Sequence, residues 1–260
     1  MTRVSLHLGM SRFLAAGMGA IALVIIVSPA LATPLAPHMI VSDGGTQLII
    51  NSSQFTKMED GSFHATSGSD WIGSDGNVVD DPENPGVPWA VQYDITGDPD
   101  PYVDGTFAVL NFSGSTQTFS FSYLQPVFPH TPVSTNGSIE ISVQDFFNSG
   151  AATLANSGAT PIYQSLIDGA AHVSMLSATT LSVSTTGGIA STSDTFSTGP
   201  TGAVTSDIGI DVVFTLTNFD LAAGTVFFET IIPEPSSLSL IAIGLVGLAG
   251  WRVVRRRRVD

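Results

Sequence analysis

The sequence predicts an all-β body, an antiparallel two-sheet β-sandwich of jelly-roll or immunoglobulin-like type. This ectodomain lies between an N-terminal signal peptide and a C-terminal single transmembrane helix. Three observations carry the prediction. Turn dipeptides punctuate the body at Asp43-Gly44, Asp60-Gly61, Asp75-Gly76, Asp104-Gly105, Asn136-Gly137 and Asp168-Gly169, each a place where a chain reverses readily. The segments between them alternate with period two. Long apolar runs occur only near the two ends, each beside arginines.

The clearest alternation is Ile208, Ile210, Val212, Phe214 and Leu216 on one face, with Asp211, Thr215 and Thr217 between or beyond them. Phe119, Phe121 and Tyr123 alternate with Ser120 and Ser122, and Ile139, Ile141 and Val143 with Ser138, Glu140 and Ser142. Such segments are half-buried strands, rich in residues that suit a pleated surface. Further strands are expected at 39–42, 47–51, 89–93, 106–112, 172–176, 181–184 and 225–231, which suits a sandwich of roughly ten strands. Residues 162–167 read as a single helical turn. Positions 179–205 carry fourteen Ser or Thr in twenty-seven, and 187–202, where apolar residues thin out, is expected to be a mobile loop.

The N-terminus places Arg3 and Arg12 before an apolar run at 13–27, followed by Pro29 and the small residues Ala30 and Ala32. That order is a secretory signal peptide over 1–32, cut after Ala32 by signal peptidase; an uncleaved anchor is the alternative, and either exports the body at 33–230. Near the other end a run at 238–251 is broken only by Ser239 and followed by Arg252, Arg255, Arg256, Arg257 and Arg258. Fourteen helical residues reach about 21 Å, short of the ~30 Å hydrocarbon core, so the flanks must extend the span. A buried core helix would leave the arginine cluster without purpose. By the positive-inside rule Arg252 and Arg255 to Arg258 orient the span with the cluster cytoplasmic.

Between residues 33 and 232 there are twenty Asp or Glu and one basic side chain, Lys57. A body of charge −19 repels phosphate backbones, which excludes nucleic acid as a partner. With no cysteine, disulfides, thiolate metal sites and thiol nucleophiles are excluded.

Pro233-Glu234-Pro235, the apolar span 236–251 and the arginine cluster ending at Arg258 together resemble a PEP-CTERM sorting signal, here 231–258, about a tenth of the chain. Val253 and Val254 separate Arg252 from the other arginines, a modest departure. The resemblance implies that the tag holds the protein transiently in the inner membrane. An exosortase then cuts near Pro233–Pro235, and the body is released to the envelope surface or beyond. Two prolines stop a helix from leaving the membrane and keep the segment extended, the form a processing enzyme can grip. Proteins with such tags are associated with exopolysaccharide.

Asp94, Asp98, Asp100 and Asp104, beside Pro99, Pro101 and Gly105, offer hard oxygen ligands suited to calcium, and Asp75, Asp80, Asp81 and Glu83 form a second acidic group. Neither has EF-hand spacing. His38, His64, His130 and His172 are scattered, with no H-x-x-x-H pair and no G-x-S-x-G elbow in the chain. Trp71 and Trp89 could stack on sugar rings, although Trp89, beside Val91 and Tyr93, also reads as core. The reading is a non-enzymatic, exported cell-surface or extracellular-matrix protein without a cofactor. The alternative is a secreted carbohydrate-binding module or carbohydrate-active enzyme with a loop-borne site, calcium-dependent if the acidic loops bind metal.

Overall fold

The computed structural model describes residues 37–82, 85–132 and 134–232. Sixteen strands follow one another: β1 (His38–Ser42), β2 (Gln47–Ile50), β3 (Thr56–Lys57), β4 (Phe63–Thr66), β5 (Ile72–Gly73), β6 (Trp89–Asp98), β7 (Tyr102–Asn111), β8 (Gln117–Pro126), β9 (Ser134–Gln144), β10 (Ala152–Ala155), β11 (Tyr163–Ile167), β12 (Ala170–Met175), β13 (Thr180–Val183), β14 (Ile189–Thr198), β15 (Asp207–Leu216) and β16 (Leu221–Ile231). They form two antiparallel sheets, the sandwich that the alternating segments imply. The first sheet runs β12-β11-β15-β8-β1-β2, with β10 beside β15 and β13 beside β10; the second runs β14-β9-β16-β7-β6-β4-β3, with β5 on β6. From β7 to β10 the chain changes sheet at every strand, and it does so again from β13 to β16.

The core lies where the inward faces meet. Phe107 of the second sheet stacks on Phe121 of the first with ring centroids 5.1 Å apart and on Phe214 at 6.2 Å. Ile208, Ile210, Val212, Phe214 and Leu216 are all fully buried, as their alternation requires. Trp89 is core: it meets Phe119 edge-on and donates its indole N–H to Thr46 Oγ1 at 2.9 Å. Aromatic side chains of this size contribute roughly 1.5–3 kcal/mol each on burial, so this cluster decides how the sheets sit face to face.

Two expectations are overturned. Residues 162–167 are not a helical turn but contain β11, hydrogen-bonded to β12 on one side and β15 on the other. A bulge between Ser165 and Leu166 buries two consecutive residues and so breaks the period that would have marked a strand. Likewise, 187–202 is not a loop but holds β14, paired with β9 along all ten residues. As an edge strand with few buried side chains, it can be built from Ser and Thr. Two of the turn dipeptides also fall inside strands, Asp104-Gly105 in β7 and Asn136-Gly137 in β9. At Gly137 a Cβ would come within 2.3 Å of the Phe196 ring from β14, so the glycine marks close packing there.

The signal-peptide cleavage residues Ala30 and Ala32, the motif residues Pro233, Glu234 and Pro235, the transmembrane span, and Arg252 and Arg255 to Arg258 lie outside the described residues. Among the described residues, no helix is long and apolar enough to cross a membrane.

Candidate functional site

The outer face of the second sheet forms a shallow trough of about 440 Å³ across β6, β7, β16 and β9. Strand register explains its composition. One cross-strand row is Gln92, Ala108, Ala223 and Ser142; the next is Asp94, Thr106, Thr225 and Glu140. Small residues therefore occupy the two central strands, and polar ones, Gln92, Asp94, Glu140 and Ser142, stand on the outer two. Beneath the floor, Gly224 makes room for Phe107, whose Cζ would lie 2.8 Å from an added Cβ.

Residues 67–70 steady the wall on the β6 side. Gln92 Nε2 donates to the Ser69 carbonyl at 2.7 Å, and the backbone N–H of Tyr93 donates to Ser67 Oγ at 3.1 Å. His64 Nε2 lies 2.8 Å from Asp94 Oδ1. Tyr93, between Gln92 and Asp94 on β6, points the other way, in register with Phe107 and packed against the core, where burial pushes its phenol above its usual value. On the opposite side Glu140 is exposed. It stands three strand spacings from Asp94 in the same row, about 14 Å. The arrangement offers acceptors and hydroxyls along an open channel.

The acidic residues singled out in the sequence are not gathered. Asp94, Asp98, Asp100 and Asp104 are strung along the β6–β7 hairpin, with Asp94 bonded to His64 and Asp98 Oδ1 accepting the Asp100 N–H at 2.8 Å. Burial, with Asp100 and Asp60 nearby, holds the Asp98 carboxyl above the usual range. The Asp75 carboxylate accepts the backbone and side-chain N–H groups of Asn77 within its own turn. Gly73, two residues before it, pairs with Ala90 near the start of β6, whereas Asp98 ends that strand. Eight extended residues separate those positions, about 27 Å, so Asp75 and Asp98 do not share a cavity; Glu83 lies outside the described residues. Among the described residues, no group of three or more His, Asp or Glu side chains is placed to hold a metal. Trp71 is half-buried and does not line the trough.

The trough was only half visible in the sequence. Ser138, Glu140 and Ser142 stand out as the polar side of an alternating strand, but register is a tertiary property, and no local signal places Glu140 opposite Thr225 and Asp94. At its far end β16 leads directly to Ile232, the last described residue before the Pro-Glu-Pro segment. Thr230 is fixed there, its N–H on the Pro101 carbonyl at 3.0 Å and its hydroxyl 2.7 Å from His130 Nε2. With β16 in the interior of the sheet between β9 and β7, a cut beyond Ile232 leaves the body's hydrogen bonding whole.

No curated protein matches the chain. Among solved structures, that of TmCBM61 in complex with β-1,4-galactotriose aligns at 14% identity and a TM-score of 0.23, over 55% of this chain and 88% of its own. Residues 232–258 match the PEP-CTERM protein-sorting motif. The motif implies processing by an exosortase and an exported protein, anchored in the membrane and then sorted to the surface. The apolar span and arginine cluster that follow Ile232 are thus a sorting signal, and the chain is a PEP-CTERM motif-containing protein.

Proposed function

We propose that the body is a non-enzymatic surface or matrix module that holds a neutral polysaccharide in the trough on the outer face of the second sheet. The observation that supports this reading is the trough itself: an open channel floored by Ala108, Ala223, Thr106 and Thr225 and walled by Gln92, Asp94 and Glu140. Sugar chains present hydroxyls on every residue, which such acceptors and hydroxyls can engage. The net charge of −19 disfavours anionic glycans, so the ligand is an uncharged exopolysaccharide.

Catalysis of glycoside cleavage is disfavoured by spacing. Two carboxylates acting on one glycosidic bond stand roughly 5–9.5 Å apart, and Asp94 and Glu140 are separated by about 14 Å of sheet. The full chain, screened on arrays of neutral and anionic polysaccharides, should be retained by neutral ones without releasing reducing ends. Thr225→Tyr fills the floor from an exposed position and should abolish retention while leaving the melting temperature within a few degrees. Reducing-end release, or equal retention by the variant, would refute the proposal.

A further inference from the structure

The open edges of the two sheets are protected unequally. In the first sheet the outermost strands are β2 and β13, four residues each, and β12, whose pairing is interrupted by the bulge at Ser165 and Leu166. In the second, β3 and β5 have two residues each. Short strands and bulges deny a second chain a continuous template. β14 has neither protection. It runs for ten residues in one unbroken register with β9 and contains no Pro, Lys or Gly. Among the described residues β9 is its sole partner in the sheet.

The register also shows which backbone groups of β14 face outward. The Asp145 N–H donates to the Gly188 carbonyl at 3.2 Å, one step beyond the paired residues Gln144 and Ile189. Antiparallel partners exchange hydrogen bonds at alternate positions, so Ala190, Thr192, Asp194, Phe196 and Thr198 turn their N–H and C=O groups to β9. Ile189, Ser191, Ser193, Thr195 and Ser197 turn theirs away, and all five residues are exposed. Thr195 shows the consequence: its N–H donates to the carboxylate of its own neighbour, Asp194, at 2.8 Å. Asp194 is the only charged residue on the strand.

We propose that β14 pairs antiparallel with β14 of a second copy, about a two-fold axis at Ser193. The ladder closes only in registers that set outward residues against outward residues. An axis at Asp194 would bring two carboxylates face to face, which is repulsive. With the axis at Ser193, Ser193 meets its own counterpart, Ser191 meets Thr195, and Ile189 meets Ser197. Asp194 then stands opposite Thr192, whose hydroxyl can donate to the carboxylate as the Thr195 N–H turns to the new strand. Phe196 stands opposite Ala190, a large side chain beside a small one. The pairing forms about ten hydrogen bonds over roughly 30 Å of strand. Each copy spends its one unprotected edge, so assembly closes at two. The body's charge of −19 opposes this contact, and salt should strengthen it by screening. A basic partner on the same edge would show the reverse.

The test is sedimentation of the full chain in detergent at rising protein concentration, in about 0.05 and 0.5 M NaCl, with oxidative cross-linking of single-cysteine variants. The wild type should pass from monomer to dimer, more readily at high salt. Ser193→Pro should weaken association at least roughly tenfold while the chain still folds, because a proline at an outward edge position removes no bond to β9. The chain has no cysteine of its own. Ser193→Cys would face its counterpart with Cα atoms about 5.5 Å apart, within disulfide reach, and should form a covalent dimer. Ser197→Cys, opposite Ile189, should not. Should Ser193→Pro fail to fold, the two cysteine variants still decide. Monomer throughout, species larger than a dimer, association that loosens with salt or survives Ser193→Pro, or cross-linking at 193 no greater than at 197 would each overturn the pairing.

Discussion

Asp168 shows how a single residue joins two strands. Its backbone is left-handed, with φ of 51°, at the turn between β11 and β12, and its carboxylate accepts the N–H groups of Thr205 at 2.9 Å and Ser206 at 2.8 Å. Burial opposes ionisation, but the bonds from Ser206, Thr205 and Asp207 hold the carboxyl below its ordinary value. Asp168→Ala should therefore cost about 1–3 kcal/mol in denaturant unfolding. Asp168→Asn, which tolerates the same backbone and keeps an acceptor, should cost less than half as much. Asp220 has the opposite sign. Burial, with the Asp145 charge nearby, sets its folded carboxyl at about 6 against an ordinary 3.8, so between those pH values the folded state holds more of the proton. Stability from this group is then lost as pH rises through that window. The melting temperature of Asp220→Asn should gain on the wild type between about pH 4 and pH 6 and hold that gain above it. A difference that stays constant with pH would show that Asp220 does not titrate there.

At the scale of elements, the strands legible in the sequence were those that bury one face. β8, β9 and β15 announced themselves because alternate residues are apolar and inward. β14 did not, since an edge strand can satisfy its backbone on one side and present Ser and Thr to water on both faces. β11 was hidden by its bulge. The β14 edge depends on Gly137, where Phe196 packs against the backbone of β9. Gly137→Ala should displace that ring and lower stability by about 1–3 kcal/mol, with faster hydrogen exchange confined to 189–198 and its partner strand. Unchanged exchange in β14 would mean that Phe196 does not clamp the edge.

Over the whole molecule, function divides along the chain. Residues 232–258 carry the sorting signal, whose three-part order is fully legible because its parts are contiguous in sequence. The trough is assembled by register from strands far apart in sequence, so composition showed an acidic, polar body without showing where its groups meet. β16 joins the two levels: it contributes the trough floor at Ala223 and Thr225, begins at Leu221 just after Asp220 and ends where the tag starts. The most direct test of this account is the intact mass and C-terminal sequence of the protein recovered from exosortase-bearing cells and from cells lacking the enzyme. The first should yield a body ending near Pro233–Pro235 outside the inner membrane, and the second uncut, membrane-held chain. Uncut chain as the sole species in both would contradict it.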